Sequence, residues 1–518
     1  MVRLAFFLFG LFILNFPQPL RAQLHLQQIG HLSYPGLSLA GCVHYVDGSG
    51  GEWALVGTSA GLSIVDLRNP AQPVERFTVP GLPNNWREVR TWEGFAYVGS
   101  EADGSGITIV DLRQLPASVN WKVWFGDAAH DSLVQRSHTV QTRDGYLYIF
   151  GGGNFTDGAT IASLADPWNP VIVGKYTANY VHDGFIRGDT LWTSEIYKGL
   201  FAVVDISDKT SPKLLATQPT PGAFNHNAEL SDDSAVLFTT DEKANTPVGA
   251  FDVTDLDNIT LIDRYFPSRK PNAMVHNVRV KGDFMVNPSY GGQLTIVDIS
   301  RPDNLIETGW ALLGTSLVWD ADPYLPSGIV FATAKNEGLF VFQPTYQHAA
   351  WLEGLVLDSL TGKPLFNAKV FVLNTPNADT TNLAGRYKTG AALPGPYSVQ
   401  VVKPGYHTRT IPDVSLQTNQ VSTLTVKLLP EITWTGPSVR VSPSPFTDRL
   451  IVEFAPDSLS IYTETTARLF DMAGRLLREQ QFIGGLTVLE ELGDLPAGAY
   501  LLVLQSAAGK RRTFRVVK

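Results

Sequence analysis

The chain has 518 residues, enough for several domains, of which 17% are charged, and its 46 glycines and 33 prolines supply many turns. This composition favours a turn-rich β protein and excludes a coiled coil, a collagen or a wholly disordered chain. The net charge of −9 gives no general attraction to nucleic acid or anionic membranes, and the single cysteine, Cys42, excludes an internal disulfide and a multi-cysteine metal site.

The first 22 residues have the pattern of a secretory signal peptide. Arg3 supplies a short positive region, residues 4–16 are apolar, and cleavage is expected after Ala22. The apolar stretch is shorter than the ~20 residues that a membrane-spanning helix needs. We therefore expect the protein to leave the cytoplasm, with no transmembrane segment after cleavage.

Short apolar strands ending in Asp recur along residues 23–347. Five of these strands end at Asp66, Asp111, Asp205, Asp252 and Asp298, and two degenerate copies end at Ser163 and Gln343, so that the seven positions lie 42 to 52 residues apart. This spacing is typical of the four-stranded blades of a β-propeller. Each Asp is expected to accept backbone N–H groups of the turn that follows it.

A second marker runs in register with the first. Before the first strand of each unit stands a histidine or a substitute, at His44, Arg87, His138, His182, His226, His276 and Trp319. The two markers together predict a seven-bladed β-propeller over residues 23–347. The seventh unit lacks an outer strand, and residues 24–36 are expected to supply it beside residues 339–343, which closes the ring.

These units resemble the LVIVD-repeat family, whose members include the secreted choice-of-anchor B proteins. The resemblance covers residues 24–345 and implies the propeller fold. It implies little chemistry, because the family is defined by its repeat and by variable anchoring devices.

Residues 350–430 predict a first small β-sandwich, since strand patterns alternate with glycine turns and no helical stretch occurs. The segment LEGLVLDSLTGKPLFNAKVFV, the later GRY and the final KPGY resemble the carboxypeptidase regulatory-like domain. That resemblance implies a prealbumin-like sandwich without catalytic residues.

Residues 439–518 follow a polar linker at 433–438 and predict a second small β-sandwich. They carry PSPF, DMAGR and LPAGAY in that order and resemble the type A C-terminal sorting domain of type IX secretion. The resemblance implies transport across the outer membrane of a Gram-negative cell by the type IX machinery, with later removal of this domain. The alternative is another structural sandwich.

Two motifs with catalytic or metal associations are interpreted as structural. GTSAG at residues 57–61 matches a nucleophile elbow around Ser59, but it joins two strands of one predicted blade and is interpreted as a hairpin turn. DVTDLDN at residues 252–258 lacks the glycine and the terminal glutamate of a calcium loop. No catalytic residue is identified.

One mouth of the predicted channel is the candidate site. The inner strands bring histidines there, and the second strands end at the same face with Glu101, Glu195, Asp241, Glu242 and Tyr290. Imidazole with carboxylate suits Zn, Mn or a hydrogen-bonded anionic or sugar ligand. The candidate ligand-binding residues are His44, Arg87, His138, His182, His226, His276, Glu195 and Asp241, and the candidate metal ligands are His182, His226, His276 and Glu195. The alternative is that each imidazole bonds the backbone of the neighbouring blade.

Three functions fit these features: a secreted or surface-displayed protein that binds an extracellular protein or glycan, a metal-dependent hydrolase or lyase acting at the channel mouth, and a structural envelope component. We favour the binding protein, because no nucleophile–base pair and no general acid is identified. A divalent metal is the one cofactor that the pattern indicates.

Overall fold

The computed structural model describes residues 23–126, 134–152, 158–267, 269, 272–315, 317–431, 439–454, 464–507 and 509–518. The predicted signal peptide and the linker at 433–438 lie outside these residues. The chain divides into two compact units, the first formed by Met1–Ala350, Ala391–Pro394 and Thr418–Gln420, and the second by the remaining residues. All regular elements among the described residues are β-strands, which confirms the all-β prediction.

Two short strands open the first unit, β1 (Gln23–Leu24) and β2 (Leu26–Leu32). Three four-stranded antiparallel sheets follow. Their strands are β3 (Leu39–Val46), β4 (Glu52–Thr58), β5 (Gly61–Asp66) and β6 (Val74–Pro80); β7 (Arg87–Trp92), β8 (Phe95–Ser100), β9 (Ile107–Asp111) and β10 (Asn120–Trp124); and β11 (Thr139–Arg143), β12 (Tyr146–Phe150), β13 (Ala159–Ser163) and β14 (Val171–Tyr176).

Four further antiparallel sheets complete the first unit among the described residues. The fourth and fifth sheets contain β15 (Asp183–Arg187), β16 (Thr190–Glu195), β17 (Leu200–Asp205) and β18 (Lys213–Pro219), then β19 (Asn225–Leu230), β20 (Val236–Asp241), β21 (Val248–Asp252) and β22 (Thr260–Tyr265). The last two contain β23 (Met274–Val275), β24 (Arg279–Lys281), β25 (Phe284–Tyr290), β26 (Gln293–Asp298) and β27 (Ile306–Leu312), then β28 (Val318–Asp322), β29 (Val330–Ala334) and β30 (Gly338–Pro344).

The N-terminal strand completes the last sheet. β2 pairs antiparallel with β30, from Leu26 opposite Pro344 to Leu32 opposite Leu339, so the expected pairing beside residues 339–343 is present. The short β1 pairs instead with β27 of the sixth sheet. The unit is thereby closed by hydrogen bonds between its two sequence ends.

Successive sheets contact one another in a closed ring. β3 contacts β7, which contacts β11, and the contacts continue through β15, β19, β24 and its partner β25, and β28 back to β3. The core lies between neighbouring sheets, as in the cluster that joins Leu39 and Val65 of the first sheet to Phe331 and Val341 of the last. Sheets arranged in this way form a β-propeller.

The recurring strand-end aspartates have the expected structural role. The Asp66 carboxylate accepts the backbone N–H of Arg68 at 3.0 Å, and Asp205 accepts that of Ser207 at 2.8 Å. Asp111, Asp252 and Asp298 make the same bond two residues ahead. The GTSAG segment is the hairpin between β4 and β5, as interpreted from the sequence.

The second unit contains four sheets among the described residues. The first two sheets, in the orders β34-β31-β37 and β33-β32-β35-β36, are built from β31 (Ala350–Asp358), β32 (Lys369–Val372), β33 (Ala378–Thr380), β34 (Arg386–Ala391), β35 (Gly395–Val402), β36 (Arg409–Leu416) and β37 (Gln420–Leu428). The other two share β38 (Val439–Ser442), β39 (Leu450–Phe454), β40 (Thr465–Asp471), β41 (Leu476–Phe482), β42 (Leu486–Leu489), β43 (Ala499–Ser506) and β44 (Arg511–Val517).

Candidate functional site

Four histidines and a tryptophan form a continuous row of rings across consecutive sheets, which we call the histidine rim. The ring centroids of His138 and His182 are 4.0 Å apart, those of His182 and His226 4.3 Å, and those of His226 and His276 4.2 Å. Trp319 continues the row at 4.6 Å from His276. The repeat therefore brings these five predicted positions together.

The rim residues occupy one register in their sheets. The backbone N–H of His138 donates to the carbonyl of Phe150, and that of His182 donates to the carbonyl of Ser194, each at the end of the second strand. The same place in successive sheets gives the same position along the channel. For this reason the side chains lie in one row, with neighbouring rings tilted by 42–53°.

Two imidazoles of the rim hydrogen-bond the backbone of the neighbouring sheet. Nδ1–H of His182 donates to the carbonyl of His226 at 3.1 Å, and Nδ1–H of His276 donates to the carbonyl of Trp319 at 2.5 Å. The alternative stated for the repeated histidines, a bond to the backbone of the next blade, therefore holds for these two. Because Nδ1 carries the proton in both bonds, the lone pair of each neutral ring lies on Nε2.

Burial controls the charge of the rim. It lowers the pKa of His182 and of His276 well below the ordinary value, with neighbouring imidazoles adding to the effect, and it also lowers the pKa of His226. Burial acts the same way on His138, but the hydrogen bond and charge of Glu101, whose carboxylate lies 2.5 Å from Nδ1, outweigh it and raise the pKa. Three of the four rings are therefore neutral at pH 7.

Glu195 and Asp241 are turned to other partners than the histidines. The buried Glu195 accepts hydrogen bonds from the Tyr176 hydroxyl at 3.0 Å and the Asn179 amide at 2.7 Å. Asp241 accepts from the backbone N–H of Gly222 at 2.8 Å and closes the loop before β19. Each carboxylate therefore holds a nearby segment, the one containing Asn179 for Glu195 and the one containing Gly222 for Asp241.

The donor atoms that do converge form two groups that share one histidine. The expected set of His182, His226, His276 and Glu195 is not brought together. The donor atoms within 4.8 Å of one another belong to His138, His182 and His226 in one group and to His226, Glu242 and His276 in the other. The sequence had placed Glu242 at this face but had not counted it among the ligands.

Arg87 occupies the rim position of the second sheet, but its side chain is bound to nearby backbone carbonyls. Its guanidinium donates to the carbonyls of Thr58 at 2.9 Å and Leu82 at 2.7 Å. Burial lowers its pKa to about 10, which leaves the side chain charged at pH 7. Arg87 thus links the second sheet to the first.

His44 lies away from the rim, which corrects the sequence prediction. Rim and cavity positions are three residues apart in every inner strand, so His44 corresponds to Arg90 of the second sheet and Gly41 takes the rim position. An added Cβ at Gly41 would lie 2.1 Å from the Glu88 carboxylate, so the first sheet has no room for a rim side chain.

A cavity of about 480 Å³ lies where His44 does, and we call it the arginine cavity. Its walls include one residue from each inner strand, three positions after the rim residue: His44, Arg90, Gln141, Phe185, Glu229, Arg279 and Asp322. Arg143, Arg187, Trp92 and Tyr324 also line it. Of these residues, sequence reasoning singled out only His44.

Charges in the cavity are arranged in pairs. His44 Nδ1 lies 2.8 Å from the Asp322 carboxylate. Burial opposes charge on both groups, but the pairing prevails, raising the pKa of His44 and lowering that of Asp322. Glu229 accepts a hydrogen bond from the Tyr324 hydroxyl at 2.8 Å, and burial raises its pKa to about 7. Among the arginines, Arg279 is paired with the buried Asp320 at 2.7 Å, and Arg90 and Arg143 lie 3.7 and 3.8 Å from the carboxylates of Glu88 and Asp144.

Comparison with known proteins identifies parts of both units. The LVIVD-repeat model matches residues 49–80, 197–220 and 273–311, and the carboxypeptidase regulatory-like domain model matches residues 352–429. No curated protein matches the chain. Among solved structures, the WD40 β-propeller domain of Doa1 is similar, with 10% sequence identity and a TM-score of 0.45, over 61% of this chain and 97% of that one.

No helix among the described residues is long and apolar enough to span a membrane. The chain carries LVIVD repeats in a β-propeller and, after them, a carboxypeptidase regulatory-like domain.

Proposed function

We propose that this chain is an exported binding protein whose first unit, a seven-bladed β-propeller, binds an acidic sugar in the arginine cavity. The observation that carries the proposal is the convergence of charged and aromatic side chains from seven inner strands on one cavity of about 480 Å³. That volume is within the range of small-molecule sites and suits one or two sugar rings.

The charge of the cavity favours a carboxylate on the ligand. Four arginines line it, Arg90, Arg143, Arg187 and Arg279, against the acidic residues Glu229, Asp232 and Asp322, and Arg279 is already paired with Asp320. Asp322 is paired with His44, and the pKa of Glu229 near 7 leaves it partly neutral. A guanidinium has five N–H donors and pairs with a carboxylate through two of them, beyond its bonds within the protein.

Aromatic side chains supply the apolar part of the walls. Trp92, Phe185 and Tyr324 line the same cavity as the arginines. A sugar ring has apolar C–H faces as well as hydroxyls, so aromatic walls with a few fixed polar groups match its chemistry. An acidic sugar therefore fits better than a fully apolar or a cationic ligand.

The rest of the chain is assigned to export and attachment. The first 22 residues act as a signal peptide, residues 350–430 form a prealbumin-like sandwich that serves as an accessory domain, and residues 439–518 form the type IX sorting sandwich. In support, the Asp471 carboxylate closes the DMAGR turn by accepting the backbone N–H of Ala473 and Arg475, at 3.0 and 2.9 Å. The protein then acts outside the cell or on its outer surface.

Binding is tested by titrating the purified protein with digalacturonic acid and, as a neutral control, lactose, in a calorimeter. Digalacturonic acid should bind saturably and lactose should not. Arg90→Met should weaken binding at least about tenfold, because it removes a charged hydrogen-bond donor worth about 1.5–3 kcal/mol. Arg76→Met is the matched control, since Arg76 lies on the outer strand β6 in an ion pair with Asp66. Equal binding of both sugars, or equal loss in both variants, contradicts the proposal.

Export is tested by deleting residues 439–518 in the source cell and fractionating the culture. The truncated protein should accumulate in the periplasm with its propeller still folded, as judged by resistance to protease. Truncated protein that still reaches the medium or the cell surface would refute the sorting assignment.

A further inference from the structure

The histidine rim presents a second group of donor atoms that the proposed sugar site does not use. One donor atom from each of His226, Glu242 and His276 lies within 4.8 Å of the other two. Nε2 of His226 is 4.0 Å from the nearer oxygen of Glu242. These residues come from the fifth and sixth sheets, and the ring contact between the two histidines holds them side by side.

Two of the three ligand-type groups on this side of the rim, His276 and Glu242, are oriented by a hydrogen bond from or to a neighbour. Nδ1–H of His276 donates to the Trp319 carbonyl at 2.5 Å, so its Nε2 carries the lone pair. The hydroxyl of Tyr290 donates to one Glu242 oxygen at 3.0 Å, and its ring stacks on His276 at 4.6 Å between centroids. Metal-binding histidines and carboxylates are held by such outer hydrogen bonds, which fix tautomer and direction.

Access and charge also suit a cation. The histidines are buried, but about a quarter of the Glu242 side chain is exposed, at 27%, which leaves a path from solvent. Glu242 supplies the negative charge that a divalent cation needs in a buried setting. Two imidazoles and one carboxylate form the ligand set of many zinc sites, with a fourth position for water.

We infer that His226, Glu242 and His276 bind a divalent transition-metal ion of the zinc type at the histidine rim. None of these three residues lines the arginine cavity, and the site does not depend on the sugar proposed there. Small movements of the side chains bring the donor atoms from their present spacing to the ~2.0–2.2 Å metal distances of such a site. The role of Glu242 replaces the one that the sequence had suggested for Glu195.

The test is a calorimetric titration of the tag-free, chelator-treated protein with ZnCl₂, together with elemental analysis after dialysis. We expect saturable binding of one Zn²⁺ per chain. Tyr290→Phe should weaken binding by about tenfold, as loss of an outer hydrogen bond does. Glu242→Gln, which keeps the size of a partly exposed side chain, should weaken it further. Cobalt absorption in the visible range gives an independent signature of imidazole and carboxylate ligands.

Matched variants on the other side of the rim decide which donor group binds. His138→Ala and Glu101→Gln alter the group formed by His138, His182 and His226 and should leave Zn²⁺ binding unchanged. Thermal unfolding of every variant confirms that it is folded. The inference is overturned by absence of Zn²⁺ binding to the unmodified protein. It is equally overturned by binding that survives in Glu242→Gln and is lost in His138→Ala, which places the ion on the three histidines.

Discussion

Leu26 provides a direct measure of how much the N-terminal strand contributes to the propeller. Its side chain is fully buried in a cluster that includes Phe284 and Leu294 of the sixth sheet and Phe340 and Phe342 of the seventh. The neighbouring Gln27 lies on the same strand and is exposed. Leu26→Ala therefore removes a core contact between two sheets, whereas Gln27→Ala alters the strand without touching the core.

The expected loss follows from burial and from the rigidity of the surroundings. Removing a buried leucine side chain costs about 1.5–3 kcal/mol in transfer free energy. The residual cavity brings the total to about 3–5 kcal/mol, because rings fixed in two sheets cannot move in to fill it. Gln27→Ala should change the free energy of unfolding by no more than about 0.5 kcal/mol.

Tryptophan fluorescence during heating measures this loss in the first unit, since nine of the eleven tryptophans precede residue 350. Leu26→Ala should lower the unfolding midpoint by roughly 5–10 °C, taking about 2 °C per kcal/mol for a large domain. Equal midpoints for Leu26→Ala and Gln27→Ala would refute closure of the ring by the N-terminal strand.

Two further predictions concern buried charges. Asp320→Asn should destabilise the first unit by about 3–5 kcal/mol in urea unfolding, because it leaves the buried Arg279, 2.7 Å away, without its carboxylate. A double variant with Arg279→Met and Asp320→Asn should lose less stability, which would identify the uncompensated charge as the cause. An equal loss in the double variant would contradict that cause. Burial raises the pKa of Glu229 to about 7, against the nearby charges of Arg279 and Arg187, so the carboxyl gains a negative charge as pH rises through 7. Its contribution to stability is therefore complete below its unfolded pKa and is lost as pH rises to about 7, and digalacturonic acid should bind more weakly at pH 8 than at pH 6. Glu229→Gln should remove that pH dependence, and an unchanged dependence would show that another group titrates.

The repeated part of the fold can be predicted from the sequence because each unit needs the same local structure, a buried strand followed by a turn. Asp66 accepts the backbone N–H of the turn that follows its strand, and Asp205 and Asp298 accept the corresponding N–H in their own units. The strand before Asp66 is buried along its whole length, since its sheet packs between two others, and this makes the apolar run conspicuous. The pairing of β2 with β30 follows from the missing outer strand.

The sequence prediction placed His44 at the rim because the offset between rim and cavity positions is smaller than the variation in repeat length. Rim and cavity residues are three positions apart, whereas the spacing between units varies from 43 to 51 residues. A histidine three residues out of register therefore still fits the repeat. Only the pairing of Leu39 with Thr58, with an irregularity before Cys42, establishes that His44 lies deeper in β3 than the rim.

The choice between Glu195 and Glu242 also required the structure. Both residues stand at or next to the end of a second strand, and the repeat treats them alike. The direction of Glu195 is determined by Tyr176, at the end of β14, and by Asn179, in the segment after it, and neither follows a repeat pattern. Tyr290 holds Glu242 toward the rim instead.

A crystal structure of the protein grown with digalacturonic acid tests the central claim most directly. The account predicts the disaccharide in the arginine cavity, with a carboxylate within hydrogen-bond distance of the Arg90 or Arg143 guanidinium and a ring against Trp92 or Tyr324. A sugar bound only elsewhere, or a cavity without sugar at saturating concentration, would contradict it.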